Sequence, residues 1–461
     1  MKKTTYHLSL AAALMAANPA FGLTAAPPST GPADKAASDV IAYQITAELT
    51  AEVGHRQAGT QAEQRGRDWA LKKLAKLGFA NVREEKFMMP TWVRGAETAV
   101  ITAPQKMELS IAALGNSGST GAAALTGEIV YFQTFDDLVA AKDDQVKGKI
   151  IFIDHNMTAT QDGSSYSYFG RARFQGPNVA AKKGALAILV RSAGTADHDH
   201  PHTGNTNFEA GVTPIPAAAV SNLDADKFVA QYVKIRRPIA VSLTLTPKNL
   251  GQQPSGNVIA QVTGSNSALP PVVIACHLDS WDLATGAFDD AAGCGIITAA
   301  ASYIKDHGTP LRTIRILWAG AEEVGVWGGK DYAVQHAATP HALAMESDFG
   351  ADRVWRVDFT LPEGAKPLQD RITRRLALLG IAPGRDKATG GADVGPIIAA
   401  QGLGVIDLQQ DGSRYFEIHH NARDTIALID KKQLQQNVVA WTIVLEELSN
   451  YAGELRPEIK P

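Results

Sequence analysis

Five short segments carry acid or imidazole groups directly after an apolar run or inside a loop. In chain order they are Ala275-Cys276-His277-Leu278-Asp279-Ser280, Gly286-Ala287-Phe288-Asp289-Asp290-Ala291, Ala321-Glu322-Glu323-Val324-Gly325, Glu346-Ser347-Asp348-Phe349-Gly350 and His419-His420-Asn421-Ala422-Arg423-Asp424-Thr425. Imidazole and carboxylate together form a donor set suited to zinc. Two divalent ions roughly 3.5 Å apart need a carboxylate between them and nitrogen or oxygen donors on each outer side. A water held there becomes a nucleophile near neutral pH, provided a neighbouring carboxylate takes its proton. Adjacent Glu322 and Glu323 suit that division, one coordinating while the other faces the water. Taken singly, a histidine after a strand is usually structural, and a glutamate pair is usually a solvated helix face. Five such segments occurring together in one chain point to a metal centre.

Such residues need a scaffold that brings distant segments to one place. From Asn257 onward, strand and helix patterns alternate. Val258 to Val262, Val272 to Cys276, Thr313 to Trp318 and Ala342 to Ser347 read as strands; Asp290 to Lys305, Gly328 to His336 and a long final segment through Leu434, Val438, Trp441, Leu445 and Leu448 read as helices. This alternation predicts an α/β three-layer sandwich with a mostly parallel central sheet, whose sites form at the carboxyl ends of its strands. Ahead of it, Ile45, Leu49 and Val53 mark one helix. Trp69, Leu71, Leu74 and Leu77 mark a second that stops at Gly78, and Asn81 to Phe87 reads as a strand. Between about Leu109 and Leu245 the texture changes to short apolar runs: Ile129 to Phe132, Ile150 to Ile153, Ala187 to Val190, Ile215 to Val220 and Ile239 to Leu245, with a helical stretch at Asn178 to Lys183. Pro247 to Gly256 reads as a linker.

The expected organisation is therefore an export signal over 1–22, the first part of the main domain over 23–107, a strand-rich insert over 108–246, and the remainder of the main domain over 247–461. The signal rests on Lys2 and Lys3, the apolar run Leu8 to Ala17, and the small residues of Ala20-Phe21-Gly22. It places the mature protein in the periplasm or medium. No later stretch reads as transmembrane. Lys plus Arg number 44 against 47 Asp plus Glu, so charge provides no reason to expect a nucleic-acid partner. For Cys276 and Cys294, a disulfide and a pair of buried thiols both fit.

The five segments resemble the co-catalytic zinc aminopeptidase family, which also contains the glutamate carboxypeptidases. The run His277 to Asp290, with Ser280-Trp281-Asp282, is similar to the plasma glutamate carboxypeptidase subgroup; so are Pro90-Thr91-Trp92-Val93-Arg94-Gly95 and Pro201-His202-Thr203-Gly204. The insert resembles a protease-associated domain through Lys147-Gly148-Lys149-Ile150 and Ile215-Pro216-Ala217-Ala218-Ala219. The resemblance implies two Zn2+ ions, with His277 on one, His420 on the other, Asp289 bridging, and Glu323 and Asp348 completing the outer sides. It implies Glu322 as general base and then acid, Asp279 as the partner of the His277 ring, and His419 near the developing oxyanion. The implied reaction is exopeptidase hydrolysis of dipeptides or of the N-terminal residue of short peptides, in a protein that pairs as a homodimer. Two rivals share the fold: a catalytically inactive relative that only binds partners, and a single-zinc acyl transferase like the glutaminyl cyclases. Inactive relatives lose ligands that this chain keeps, and metal stoichiometry separates the cyclases.

Other residues invite a site reading. Asp290 reads as the start of the following helix rather than a further ligand, and Asp393 as a helix cap. Arg423 is a departure from smaller residues in relatives and is placed to alter the pocket or pair with Asp424. Asp197-His198-Asp199-His200-Pro201-His202 is metal-like in composition but reads as a solvated loop near the site.

Overall fold

The computed structural model describes residues 40–235 and 237–458, so the expected export signal lies outside the described residues. Two eight-stranded sheets organise the chain. The first runs in the order Ala80–Val93, Lys248–Val262, Ile314–Ala319, Val272–His277, Leu343–Glu346, Gly404–Gln410, Val354–Thr360, Ala382–Pro383. Its four middle strands, from Ile314–Ala319 to Gly404–Gln410, are mutually parallel, while antiparallel pairs flank them. The sheet is thus mixed rather than mostly parallel. Parallel pairing needs crossovers long enough to return the chain in the same direction, which serve the middle strands and the short edge pair Val354–Thr360 with Ala382–Pro383.

The middle strands are apolar on both faces because helices cover both. Val272, Ile274 and Cys276 pack with the helices Ile41–Glu52, Ala292–His307 and Lys431–Ser449. The alternate residues Val273 and Ala275 pack on the other side with Tyr332, Ala333 and Ile397. The helix Ala292–His307 approaches the sheet closely enough that a Cβ at Gly293 would lie 2.0 Å from the Ser347 carbonyl. Its all-small start therefore sets how near the helix end stands to the strand ends.

The second sheet takes in residues from Glu97 to Leu245, beginning earlier than the 108 expected from texture. Its order is Met107–Leu109, Glu97–Ala103, Ile239–Leu245, Leu125–Phe132, Ile150–Ile153, Ala187–Arg191, Ala217–Val220, Ile111–Ala113. The helix Asn222–Ile235, which carries no strong local signal, lays Ala225 and Phe228 on one face. Trp281, from the first unit, joins that same cluster and anchors the two units together.

One expectation is overturned, and one alternative left open is decided. Pro247 to Gly256 is not a linker but the first part of the strand Lys248–Val262, paired antiparallel along nearly the whole of Ala80–Val93. Pro254 is tolerated because there the strand has a neighbour on one side only, its pairing with Ile314–Ala319 beginning at Val258. The two cysteines are bonded as a disulfide between the strand Val272–His277 and the helix Ala292–His307. No helix among the described residues is long and apolar enough to cross a membrane.

The bridge closes a loop of sequence separation 18, for which chain entropy gives about 3 kcal/mol. The double variant C276A/C294A is expected to lower unfolding free energy by about 2–4 kcal/mol in a urea melt; an unchanged midpoint would remove the bridge from the account of stability.

Candidate metal centre

Each candidate side chain follows a parallel strand. His277 is the last residue of Val272–His277. Glu322 and Glu323 follow Ile314–Ala319, Asp348 follows Leu343–Glu346, and His419 and His420 follow Gly404–Gln410 by way of the short helix Tyr415–Ile418. Asp289 lies in the tight turn Ala287–Ala291 that leads into Ala292–His307. The site therefore sits where open parallel sheets place theirs.

The side chains converge. Asp289 Oδ1 is 2.9 Å from His277 Nε2, and its Oδ2 is 3.3 Å from His420 Nε2. Asp348 Oδ1 lies 3.4 Å from His277 Nε2, and Glu323 Oε2 lies 2.8 Å from His420 Nε2. One carboxylate thus stands between two imidazoles, each with a second acid beside it. Asp289 Oδ2 and Glu323 Oε1 are buried with no hydrogen-bond donor among the described residues. Acceptors left bare at that depth, facing ring nitrogens, fit a cation. Donor atoms of His277, Asp289 and Glu323 lie within 4.8 Å of one another, as do those of His277, Glu322 and Asp348, and those of Asp289, His419 and His420.

Carboxylates that are not candidate ligands hold the backbones of those that are. Asp424 accepts from the amides of Ala287, Phe288 and Asp289 at 2.8, 2.6 and 3.2 Å. Asp290 accepts from His277 N and Gly293 N at 3.1 Å each, steadying the strand end and the first turn of the helix. Asp279 accepts from Glu322 N at 3.0 Å and Glu323 N at 3.3 Å. Arg56 ties the same loops from beneath. Its buried guanidinium donates to the carbonyls of Gly54, Leu278, Thr285 and Gly286 at 2.8, 2.7, 2.6 and 3.0 Å. Burial lowers its pKa to about 10 against the pull of Asp424, Asp279, Asp290 and Asp289.

Crowding of buried acids shapes the titration of the metal-free protein. Burial, then Asp348 and Asp393 against the opposing His277, hold Glu322 well above the usual carboxylate range. Burial opposes the charged form of Asp289, but His277 and His420 outweigh it and keep this carboxyl well below the usual value. Burial also opposes protonated His420, yet Glu323 and Asp289 raise it to about 9. His419, stacked on His420 with ring centroids 3.4 Å apart, is kept well below the usual imidazole value by burial and by its neighbour.

Some expected contacts differ. The nearest partner of His277 Nδ1 is the Asp279 carbonyl at 3.1 Å, with the carboxylate at 3.7 Å, because that carboxylate is engaged by the Glu322 and Glu323 amides. Asp393 does not cap its helix: Val394 N donates to Glu346 Oε2 at 2.9 Å, and both Asp393 oxygens are buried without a partner among the described residues. Asp424 is taken up by the 287–289 amides, and Arg423 is exposed instead of paired with it. In the 197–202 loop, His202 is not solvated. It is fully buried against the His419–Asn421 turn, and burial lowers its pKa to about 3. Arg56 and Arg173 also escaped sequence reading; only the Pro201-to-Gly204 motif hinted at the buried contact.

A cavity of about 470 Å³ opens over the centre. Tyr166, Arg173, Asn205 and Asn207 of the second unit form one wall, and Phe349 and Phe416 contribute apolar surface.

The model of peptidase family M28 matches residues 257–444, the stretch that carries every candidate residue. Carboxypeptidase Q of Bos taurus is 33% identical over 405 residues, covering 87% of this chain and 84% of that protein. The crystal structure of a peptidase M28 precursor from Shewanella amazonensis SB2B is 41% identical with a TM-score of 0.90, over 93% of this chain and 98% of that one. A zinc aminopeptidase from Bacillus subtilis shares the fold at 20% identity, with a TM-score of 0.65 over 91% and 98% of the two chains. From sequence and fold together, this chain belongs to peptidase family M28 and is a zinc exopeptidase of that family.

Proposed function

We propose that the protein is an exported two-zinc exopeptidase that splits dipeptides or removes the N-terminal residue of short peptides. The observation that carries this reading is the Asp289 carboxylate, with one oxygen towards each of two imidazoles and a further acid beside each ring. His277, Asp348 and Asp289 would hold one ion; His420, Glu323 and Asp289 the other. Zinc supplies there the Lewis acidity that activates water and polarises a carbonyl.

The chain's own residues do the rest. Glu322 borders the cavity beside Asp348 and His277, and is the one acid of the group assigned to no ion. Its carboxylate takes the proton of the attacking water and returns it to the leaving amine. The amide bonds from Glu322 and Glu323 to Asp279 fix base and ligand relative to one another. His419, neutral and beside Asp289, lies within reach of a developing oxyanion. A cavity of about 470 Å³ is in the range of small-ligand sites, which favours short peptides over folded proteins. The strand-rich unit is read as a protease-associated insert. Export is supported by the N-terminal signal pattern and by a disulfide, which persists in oxidising compartments.

Purified protein is expected to carry two zinc ions per chain by elemental analysis, to lose dipeptide hydrolysis on exhaustive chelation, and to regain it with zinc. One ion per chain with ring closure of an N-terminal Gln peptide would instead favour the cyclase reading. Glu322→Gln should retain both ions while kcat falls by roughly three or more orders of magnitude; a variant within tenfold of the parent would remove Glu322 as the base.

Zinc uptake should also release protons. His420 is protonated below about 9 in the metal-free protein, so zinc must displace that proton, and apparent affinity rises with pH up to that value. Calorimetric titration at pH 7 in two buffers of different ionisation enthalpy should yield different heats; equal heats would contradict the assignment.

A further inference from the structure

We propose that the second-sheet unit builds the His420 half of the metal centre, with His202 and Thr203 as positioning residues. The inference rests on the two-metal reading above. Segment 195–203 lies along the turn 416–421 and is bonded to it repeatedly. Thr195 N donates to Phe416 O at 2.9 Å, and Thr203 N donates to His420 O at 2.9 Å. His198 Nε2 lies 3.2 Å from Glu417 O, and His202 Nδ1 lies 2.6 Å from His419 O. A carbonyl only accepts, so His202 Nδ1 carries the proton. Its Nε2 then accepts from Asn421 Nδ2 at 3.1 Å.

The same logic fixes the His420 ring. Its Nδ1 is 3.2 Å from the Thr203 carbonyl, and Arg173 Nη1, 3.4 Å from the same nitrogen, lies nearer that carbonyl at 3.1 Å, so Nδ1 donates there; once a metal displaces the Nε2 proton, the Nε2 lone pair would face the position between Asp289 and Glu323. His277 receives its orienting carbonyl from Asp279, two residues along its own chain segment; His420 receives it from a residue 217 positions away. His420 also has a backbone φ of +61°. A left-handed non-glycine residue persists only where its surroundings hold it, and the Thr203 amide on its carbonyl does so. Thr203 is itself fixed. Its hydroxyl donates to Ala113 O at 2.7 Å and accepts from Arg94 at 3.0 Å, and Arg94 grips Asp282 through two nitrogens.

The two zinc ions should therefore respond unequally to changes in the clamp. In His202→Leu, which fills the space without the donor, one of the two ions is expected to bind about 10- to 100-fold more weakly in chelator competition while the other is unchanged. His202→Asn, whose amide nitrogen falls near the position of Nδ1, should restore most of that affinity. His200→Ala, on the same loop outside the clamp, should leave both ions at parental affinity. Asn421→Ala gives an independent reading if His202→Leu does not fold, because it frees the His202 ring while leaving the residue in place; the same single ion should weaken. Parent protein binding two ions, with variants that keep both at parental affinity or weaken both equally, would overturn the proposal. A parent that binds fewer than two ions would instead overturn the two-metal reading itself.

Discussion

The carboxylate of Asp289 is buried between two imidazoles, with more acids close by than the surrounding cations can neutralise. Removing a carboxylate from water costs several kcal/mol even after relaxation. Here Asp289, Glu323, Asp348 and Glu322 line one cavity together. Two imidazoles offset part of that charge. On the proposed two-zinc reading, a pair of divalent cations would offset much of the rest, and the fold reads as a means of holding the acids together for them. Asp424, Asp290 and Asp279 each use their oxygens on backbone amides of ligand-bearing loops, so the negative charge around the centre is also its framework. Arg56, whose guanidinium donates to four carbonyls, adds buried positive charge beneath the same loops.

The two units contribute unequal parts. The parallel strands supply the candidate donors and the proposed base. The second sheet supplies a cavity wall and the carbonyl that orients His420. Trp281 is the hinge point of that division: it follows the His277 strand but packs in the second sheet's core, with its ring 5.9 Å from that of His420. The second-sheet unit is thus continuous with the candidate metal centre.

Much of this was legible because the signals are local. An apolar run ending in His277 states both a buried strand and a polar group at its end, and Ile296, Ile297, Ala300, Tyr303 and Ile304 state the apolar face of the helix that follows. What stayed hidden is non-local. Arg56 reaches carbonyls more than 220 positions away and leaves no spacing pattern. His202 sits in a run of Asp and His that looks solvated, yet the turn after Ile418 closes over it. The stretch from Pro247 reads as a linker by composition, because pairing with Ala80–Val93 imposes the strand from outside. The antiparallel flanks of the first sheet were likewise set by chain reversals rather than by residue pattern.

The most direct test is to locate the metal. A crystal of the zinc-loaded protein measured on both sides of the zinc absorption edge should show two anomalous peaks, roughly 3.5 Å apart, one beside His277 and one beside His420, with Asp289 between them. A single peak, or a pair centred on the 198–202 histidines with nothing at Asp289, would contradict the account.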